Sequence, residues 1–286
     1  MQNKIPNVAK LYIRMLTNRH CSGKIGSMKT LKKCDLHVHT NYSFDNPAEN
    51  TMEKNVVSAI QKGIDVLCFT DHIEIIHNTF DTFPFERRKH EFDSLVAKYG
   101  DQIKLLLGFE MGSPNRHPKE LAFLRSLQPD MIIGSVHYPC DYANVGDQVT
   151  HQQYENLYNQ EVRAMVEFGG FDVLGHADMP KKYHTDYQPD DEYLTETLRI
   201  CVRNGIVPEL NTSTLRQTNV NPNTTETMIS TKMALVYASL GGKYVTISSD
   251  SHSYKTLGAN FDETYNAIAD KLSLCYFEKG KLVPLK

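Results

Sequence analysis

Two histidines separated by one residue open the chemically informative part of this chain, in Asp35-Leu36-His37-Val38-His39-Thr40. Residues two apart on an extended strand share a face, so both imidazoles point at one spot and make half of a metal site. Asp35 is placed on the same face and is expected to accept the second ring proton of a histidine, fixing its tautomer. Thr246-Ile-Ser-Ser-Asp250-Ser-His252 repeats the spacing with a carboxylate in place of one imidazole. Phe69-Thr70-Asp71-His72 breaks an apolar run into acid and imidazole, and Leu107-Gly108-Phe109-Glu110 ends another on a carboxylate. A carboxylate buried there without a partner is costly, and a bound cation removes the penalty. Gly134-Ser135-Val136-His137 and Leu174-Gly175-His176 each deliver one more imidazole. A lone histidine is more often structural than a ligand, but six of the twelve histidines fall at expected strand ends, which argues for a common purpose. Imidazole and carboxylate donors without thiolate suit divalent zinc, manganese or iron. There are more donors than one tetrahedral ion can use, so two or three ions are expected.

The elements that must position these groups alternate along the chain. Apolar, β-rich runs cover Lys33–His37, Ile64–Thr70, Ile103–Glu110, Met131–His137, Phe171–His176, Gly205–Asn211 and Lys243–Ser249. Between them, apolar residues at three- and four-residue spacing predict helices over Thr51–Gln61, Arg87–Lys98, Lys119–Leu127, Gln152–Phe168, Asp191–Arg203 and Thr225–Leu240. Strands alternating with helices imply parallel βα units, in an open doubly wound sheet or a barrel. An open sheet collects its site at one switch point, whereas a barrel draws functional residues from the C-terminal ends of many strands. Here nearly every run ends in a ligand-type residue, with Asn211 closing the sixth, so the pattern favours an α/β barrel.

Composition narrows the remaining classes. At 286 residues, with 40% hydrophobic and 23% charged residues, the chain is globular and long enough for a single barrel domain over 31–286. Residues 1–30 are expected to be an extension, disordered or a short helix; Lys10–Arg19 is basic but has no uninterrupted apolar core, so neither a secretory signal nor a membrane span is predicted. The net charge of −3 gives no reason to expect a stable nucleic-acid partner. Six scattered cysteines with no CxxC pair predict reduced thiols and a cytoplasmic protein. Motifs for a covalent phosphoenzyme (CX5R, DxDx(T/V)), a serine elbow and a GxxxxGK[ST] loop are all missing.

Taken in order, HVHT, FTDH, GFE, GSVH, LGHAD and SSDSH resemble the motif series of the polymerase-and-histidinol-phosphatase (PHP) superfamily, from Asp35 to about His252. The stretch Glu209–Arg216, ELNTSTLR, resembles its histidinol-phosphatase branch, with Thr214 in place of a glycine. The resemblance implies a distorted seven-stranded (β/α) TIM-like barrel and three metals. One is held by His37, His39, Glu110 and Asp250, a second by Glu110, His137 and His176, and a third by Asp45, His72 and His252. It implies a phosphomonoesterase acting on a small phosphorylated metabolite, L-histidinol phosphate above all, within histidine biosynthesis. A hydroxide kept between the first two metals by Glu110, His37, His39 and His137 is the implied nucleophile. Arg216, with Lys182 and less directly Lys181, is taken as the phosphate clamp. If position 214 needs a positive φ, its threonine is strained. The same chemistry on nucleotides or oligonucleotide ends is the alternative; a non-catalytic metal-binding module and a barrel amide hydrolase fit the motif series less well.

Overall fold

The computed structural model describes residues 33–139, 150–182, 187, 190–216 and 226–285; the extension expected over 1–30 lies outside them. Ten strands are described: β1 (Cys34–Val38), β2 (Val66–Phe69), β3 (His72–Ile73), β4 (Lys104–Gly112), β5 (Met131–Ser135), β6 (Val173–Leu174), β7 (Val207–Asn211), β8 (Tyr244–Ser248), β9 (Ser273–Glu278) and β10 (Lys281–Pro284). They hydrogen-bond in the order β1-β2-β4-β5-β6-β7-β8-β9-β10, with β3 beside β4. Each pairing is parallel except β9 with β10. The fold is therefore α/β with a mostly parallel sheet. Beyond β8, Ser251 forms a parallel bridge with Val38; the Ser251 carbonyl accepts from His39 N at 3.0 Å, which sets the Asp250–His252 segment against the end of β1.

Each of the seven apolar runs contains one strand, and three strands were not expected. β3 is a two-residue continuation directly after β2. β9 and β10 are a C-terminal hairpin, and β9 covers the outer edge of β8.

Side chains cap the N-termini of four of the described helices. Thr51 caps α1 (Met52–Gln61) by accepting from Lys54 N, and Gly63 follows at a φ of 68°. A capping box formed by Thr150 and Gln153 starts α5 (His151–Phe168), and Asp190 caps α6 (Asp191–Asn204) before Gly205 ends it at a φ of 70°. Between α1 and α5 lie α2 (Thr79–Thr82), α3 (Phe85–Tyr99) and α4 (Pro118–Ser126). The helix expected over Thr225–Leu240 is shorter, as α7 (Thr231–Ser239). Ser230 caps it, and Met228 before it is bridged to Asn211 instead of being helical. The last helix is α8 (Phe261–Ile268). Among the described residues no helix is long and apolar enough to cross a membrane.

The core between β1, β2 and the helices α1 and α3 is apolar, built from residues such as Val38, Met52, Val56, Leu67, Phe69 and Leu95. One charged pair is set into this wall. Arg88 of α3 is 1% exposed; its Nε donates to Asp71 Oδ2 at 2.7 Å and its Nη2 to the carbonyls of Phe69 and Gly108. Its guanidinium lies 4.9 Å from the Phe109 ring centroid. The pair ties the C-terminal end of β2 to β4, where His72 and Glu110 emerge.

Burial pushes the Asp71 carboxyl up, but the Arg88 guanidinium, then His39 and the Thr40 donors, outweigh it and hold it below its ordinary value. A carboxyl depressed in the folded state contributes stability above its unfolded pKa and loses it as pH falls through the folded value. Arg88→Leu should lower the unfolding free energy by about 3–5 kcal/mol, because it strands a buried charge. Urea denaturation should also show that the loss shrinks at acid pH, where Asp71 protonates, and that Asp71→Asn recovers part of it.

Candidate metal centre

The strand ends converge on one carboxylate. Glu110, fully buried at the end of β4, has His37 Nε2 at 3.1 Å and His39 Nε2 at 3.4 Å from its Oε2. His72 Nδ1 lies 2.9 Å from the same oxygen, and His176 Nε2 and His137 Nε2 lie 2.9 and 3.2 Å from Oε1. Asp250 sits on the other side of the first pair, its Oδ1 3.2 Å from His39 Nε2 and 3.7 Å from His37 Nε2. At the outer edge His252 Nε2 and His72 Nε2 share Asp45 Oδ2, at 3.0 and 3.5 Å.

Four donor sets in this cluster have ligand atoms within 4.8 Å of one another: His37–His39–Asp250, Glu110–His137–His176, His39–His72–His252 and His72–Glu74–His137. Three of these overlap the three ligand groups expected from the sequence. Buried His37 Nε2, His39 Nε2 and Glu110 Oε2 have no hydrogen-bond partner, and His137 Nε2 faces His176 Nε2 at 3.2 Å. Buried ring nitrogens without partners, turned in beside an unpartnered carboxylate oxygen, fit divalent cations.

The electrostatics follow from crowding. Burial raises the Glu110 carboxyl, yet His37, His137 and His72 together hold it well below the ordinary carboxylate range. His72 is pushed up to about 9: burial opposes this, but Glu110 and Asp45 prevail. His39 is lowered to about 3 by burial and by its neighbours His72 and His252. His39 is therefore held in its neutral form, which is the form that ligates a metal.

Three of the imidazoles are also braced from behind. His37 Nδ1 lies 2.9 Å from Glu209 Oε2 of β7, His39 Nδ1 3.1 Å from Ser43 Oγ, and His137 Nδ1 2.5 Å from Glu74 Oε1. Ser43 passes the contact on to Asp71, and Asn211 Nδ2 donates to Asp250 Oδ2. Glu209 takes the role expected of Asp35. Asp35 instead accepts from Ser249 N, Ser249 Oγ and Gly258 N, and so holds the segment after β8. The β1 register against β2 shifts between Asp35 and Val38, which breaks the alternation that aligned Asp35 with the histidines.

Glu74 was missed, although the two-residue spacing from His72 carries the same signal as His37 and His39. Its position also explains Gly112, since a Cβ there would lie 2.2 Å from Glu74 Oε2.

The basic residues divide differently from expectation. A cavity of about 240 Å³ opens over the cluster and Lys182 lines it. Lys181 is buried and donates to Asp178 Oδ2 and the Thr227 carbonyl. Arg216 is not among the cavity-lining residues; it donates to the carbonyls of Thr256, Ser249 and Asp250, so its guanidinium secures the loop bearing Asp250. Thr214 is not among the positive-φ residues, so the strain considered there does not arise; its hydroxyl donates to the Glu226 carbonyl.

Residues that orient metal-ligating histidines typically matter about 10–100-fold in metal affinity. Glu209→Ala and Gly112→Ala should each weaken zinc retention in a chelator competition by about that factor. Glu209→Gln, which keeps a hydrogen-bonding group, should lose less.

The PHP domain family model matches residues 35–213. A Lactococcus lactis chain named histidinol-phosphatase is 28% identical over 246 residues, covering 79% of this chain and 86% of its own. The Bacillus subtilis histidinol-phosphatase is 24% identical over 225 residues, covering 66% of this chain and 83% of its own. Among solved structures, that of a Lactococcus lactis histidinol phosphate phosphatase complexed with zinc, L-histidinol and phosphate superposes with a TM-score of 0.76 at 26% identity, covering 89% of this chain and all of that one. The matched span runs from the first histidine pair past β7 and takes in more than half of the chain, which belongs to the PHP domain family.

Proposed function

We propose that this chain is a metal-dependent phosphomonoesterase that hydrolyses L-histidinol phosphate to L-histidinol and phosphate in the cytoplasm. The observation that carries this reading is Glu110, whose one carboxylate is approached by imidazoles from β1, β3 and the segments after β5 and β6. The family relationship and the named relatives support it. His37, His39, Glu110 and Asp250 would hold one ion, Glu110, His137 and His176 a second, and Asp45, His72 and His252 a third. The catalytic domain would be 31–286, its sheet closed through the Val38–Ser251 bridge into a distorted seven-stranded barrel, with β9 and β10 appended outside it.

Divalent ions in these positions supply Lewis acidity, activating water and neutralising charge on the phosphoryl oxygens. The chain's own residues supply position and charge. Glu209, Ser43 and Glu74 fix the rings of His37, His39 and His137, so the donor geometry is set before the substrate arrives. Lys182 places a cation on the cavity wall, where the phosphate dianion must enter. Arg216 contributes indirectly, by anchoring the carbonyls on either side of the Asp250 ligand.

Phosphate release should be measured with zinc- or manganese-loaded protein on L-histidinol phosphate, nucleoside monophosphates, oligonucleotide ends and p-nitrophenyl phosphate. L-Histidinol phosphate is expected to give the highest kcat/KM. Glu110→Gln should lower metal content and reduce turnover by more than about a hundredfold. Lys182→Ala should raise KM by about tenfold with metal content unchanged. Fully loaded protein that releases no phosphate from any monoester, or that prefers oligonucleotide ends, would overturn the reading.

A further inference from the structure

The cavity has two unlike halves. One is the imidazole–carboxylate cluster; the other is formed by Phe44, Tyr138 and Tyr154, with the buried Met179 beside them in the lining. Phe44 is 48% exposed, among the most exposed of the large apolar side chains described. Its ring lies 5.6 Å from the His72 ring and 4.8 Å from that of His77, which in turn lies 4.9 Å from Tyr138. A continuous arc of rings thus runs from the metal-side histidine to the cavity mouth.

Phe44 is also held in place. It sits in a loop whose hub is Asn50, 1% exposed, which donates to the His39 carbonyl and to Asn46 Oδ1 while accepting from Asn55 Nδ2 and Tyr254 N. Further turns within the loop run from Ser43 N to the Thr40 carbonyl and from Asn46 N to the Ser43 carbonyl. The adjacent Asp45 is fixed to His252. An apolar ring kept at a cavity mouth on a braced loop is pre-organised for a flat partner, because little ordering entropy remains to be lost on contact. The acidic groups nearest the aromatic half are committed elsewhere: Asp45 faces His252 and His72, and Glu74 faces His137.

We infer that Phe44 is a specificity-determining residue, whose ring stacks on a planar aromatic or heteroaromatic group in the alcohol half of the substrate. This rests on the phosphomonoesterase reading, and it says which monoesters the site selects. Ring-bearing esters, imidazolyl or aryl, are favoured over polyol phosphates, and the discrimination is made by ring contact instead of charge. The phosphate lies on the cluster and the ring of the leaving alcohol reaches back toward Phe44.

The test compares L-histidinol phosphate and p-nitrophenyl phosphate with glycerol 3-phosphate, in wild type, Phe44→Ala, Phe44→Leu and Phe44→Tyr, with bound metal quantified in each. Phe44→Ala is expected to raise KM for both ring substrates by about two- to tenfold while leaving kcat and the constants for glycerol 3-phosphate unchanged. Phe44→Tyr should restore the wild-type values, and Phe44→Leu, which keeps bulk without a π face, should not. An equal loss on all three substrates, or a loss of bound metal on removing the ring, would make Phe44 a mere support for His72 and overturn the inference. Wild-type protein that is metal-loaded yet inactive on every ester would instead sink the phosphomonoesterase reading, and the inference with it.

Discussion

A fully buried carboxylate at the meeting point of five imidazoles is the constraint on which the rest of the structure depends. Taking an ion out of water costs several kcal/mol even after relaxation, so Glu110 is tolerable only with positive charge close on several sides. The histidines supply it in part, since Glu110 draws His37, His72 and His137 toward their charged forms against the opposing effect of burial. They are crowded enough that His39 is driven the other way. Such a cluster has more negative oxygens and turned-in nitrogens than it can satisfy internally, and divalent cations resolve both demands at once.

That arrangement dictates how the surrounding sheet is built. Donors on different strands keep their spacing only if each strand end is tied to a neighbour, and the ties run across the sheet. Glu209 on β7 braces His37 on β1, Glu74 after β3 braces His137 after β5, and Asp35 on β1 anchors Ser249 after β8. Arg88 does the same from outside, linking α3 to β2 and β4 through Asp71 and two carbonyls. Small residues matter where these ties pass close by. A Cβ on Gly175 would meet Ser135 Oγ at 2.4 Å, and one on Gly112 would meet the Glu74 carboxylate. The loop bearing Phe44 and Asp45 extends the same principle to the cavity mouth, where the Asn50 hub holds a metal-side acid and an aromatic ring on adjacent residues.

The alternation of strands and helices, and the donor residue at nearly every strand end, were legible in the primary structure because both are local. A buried strand announces itself by its apolar run, and its end by the first polar group. The strands that escaped notice, β3, β9 and β10, are short or half-exposed, so burial leaves a weaker pattern in them. Glu74 lay within reach of the same two-residue rule, but only with β3 recognised as a strand.

Residue type and spacing by themselves determined that imidazoles and carboxylates in excess of one ion's needs would stand at the ends of parallel strands, because backbone periodicity decides which side chains share a face. Tertiary structure decided the partners. Asp35 and Glu209 are both acids in apolar strands, and only the register between β1, β7 and β8 gives the imidazole of His37 to the second and the amide of Ser249 to the first. Arg216 and Lys182 are both cations in motif-like positions, and only the path of the chain turns one onto backbone carbonyls and the other toward the cavity. A hydrogen bond or ion pair between residues tens of positions apart depends on distances in space that no local pattern encodes.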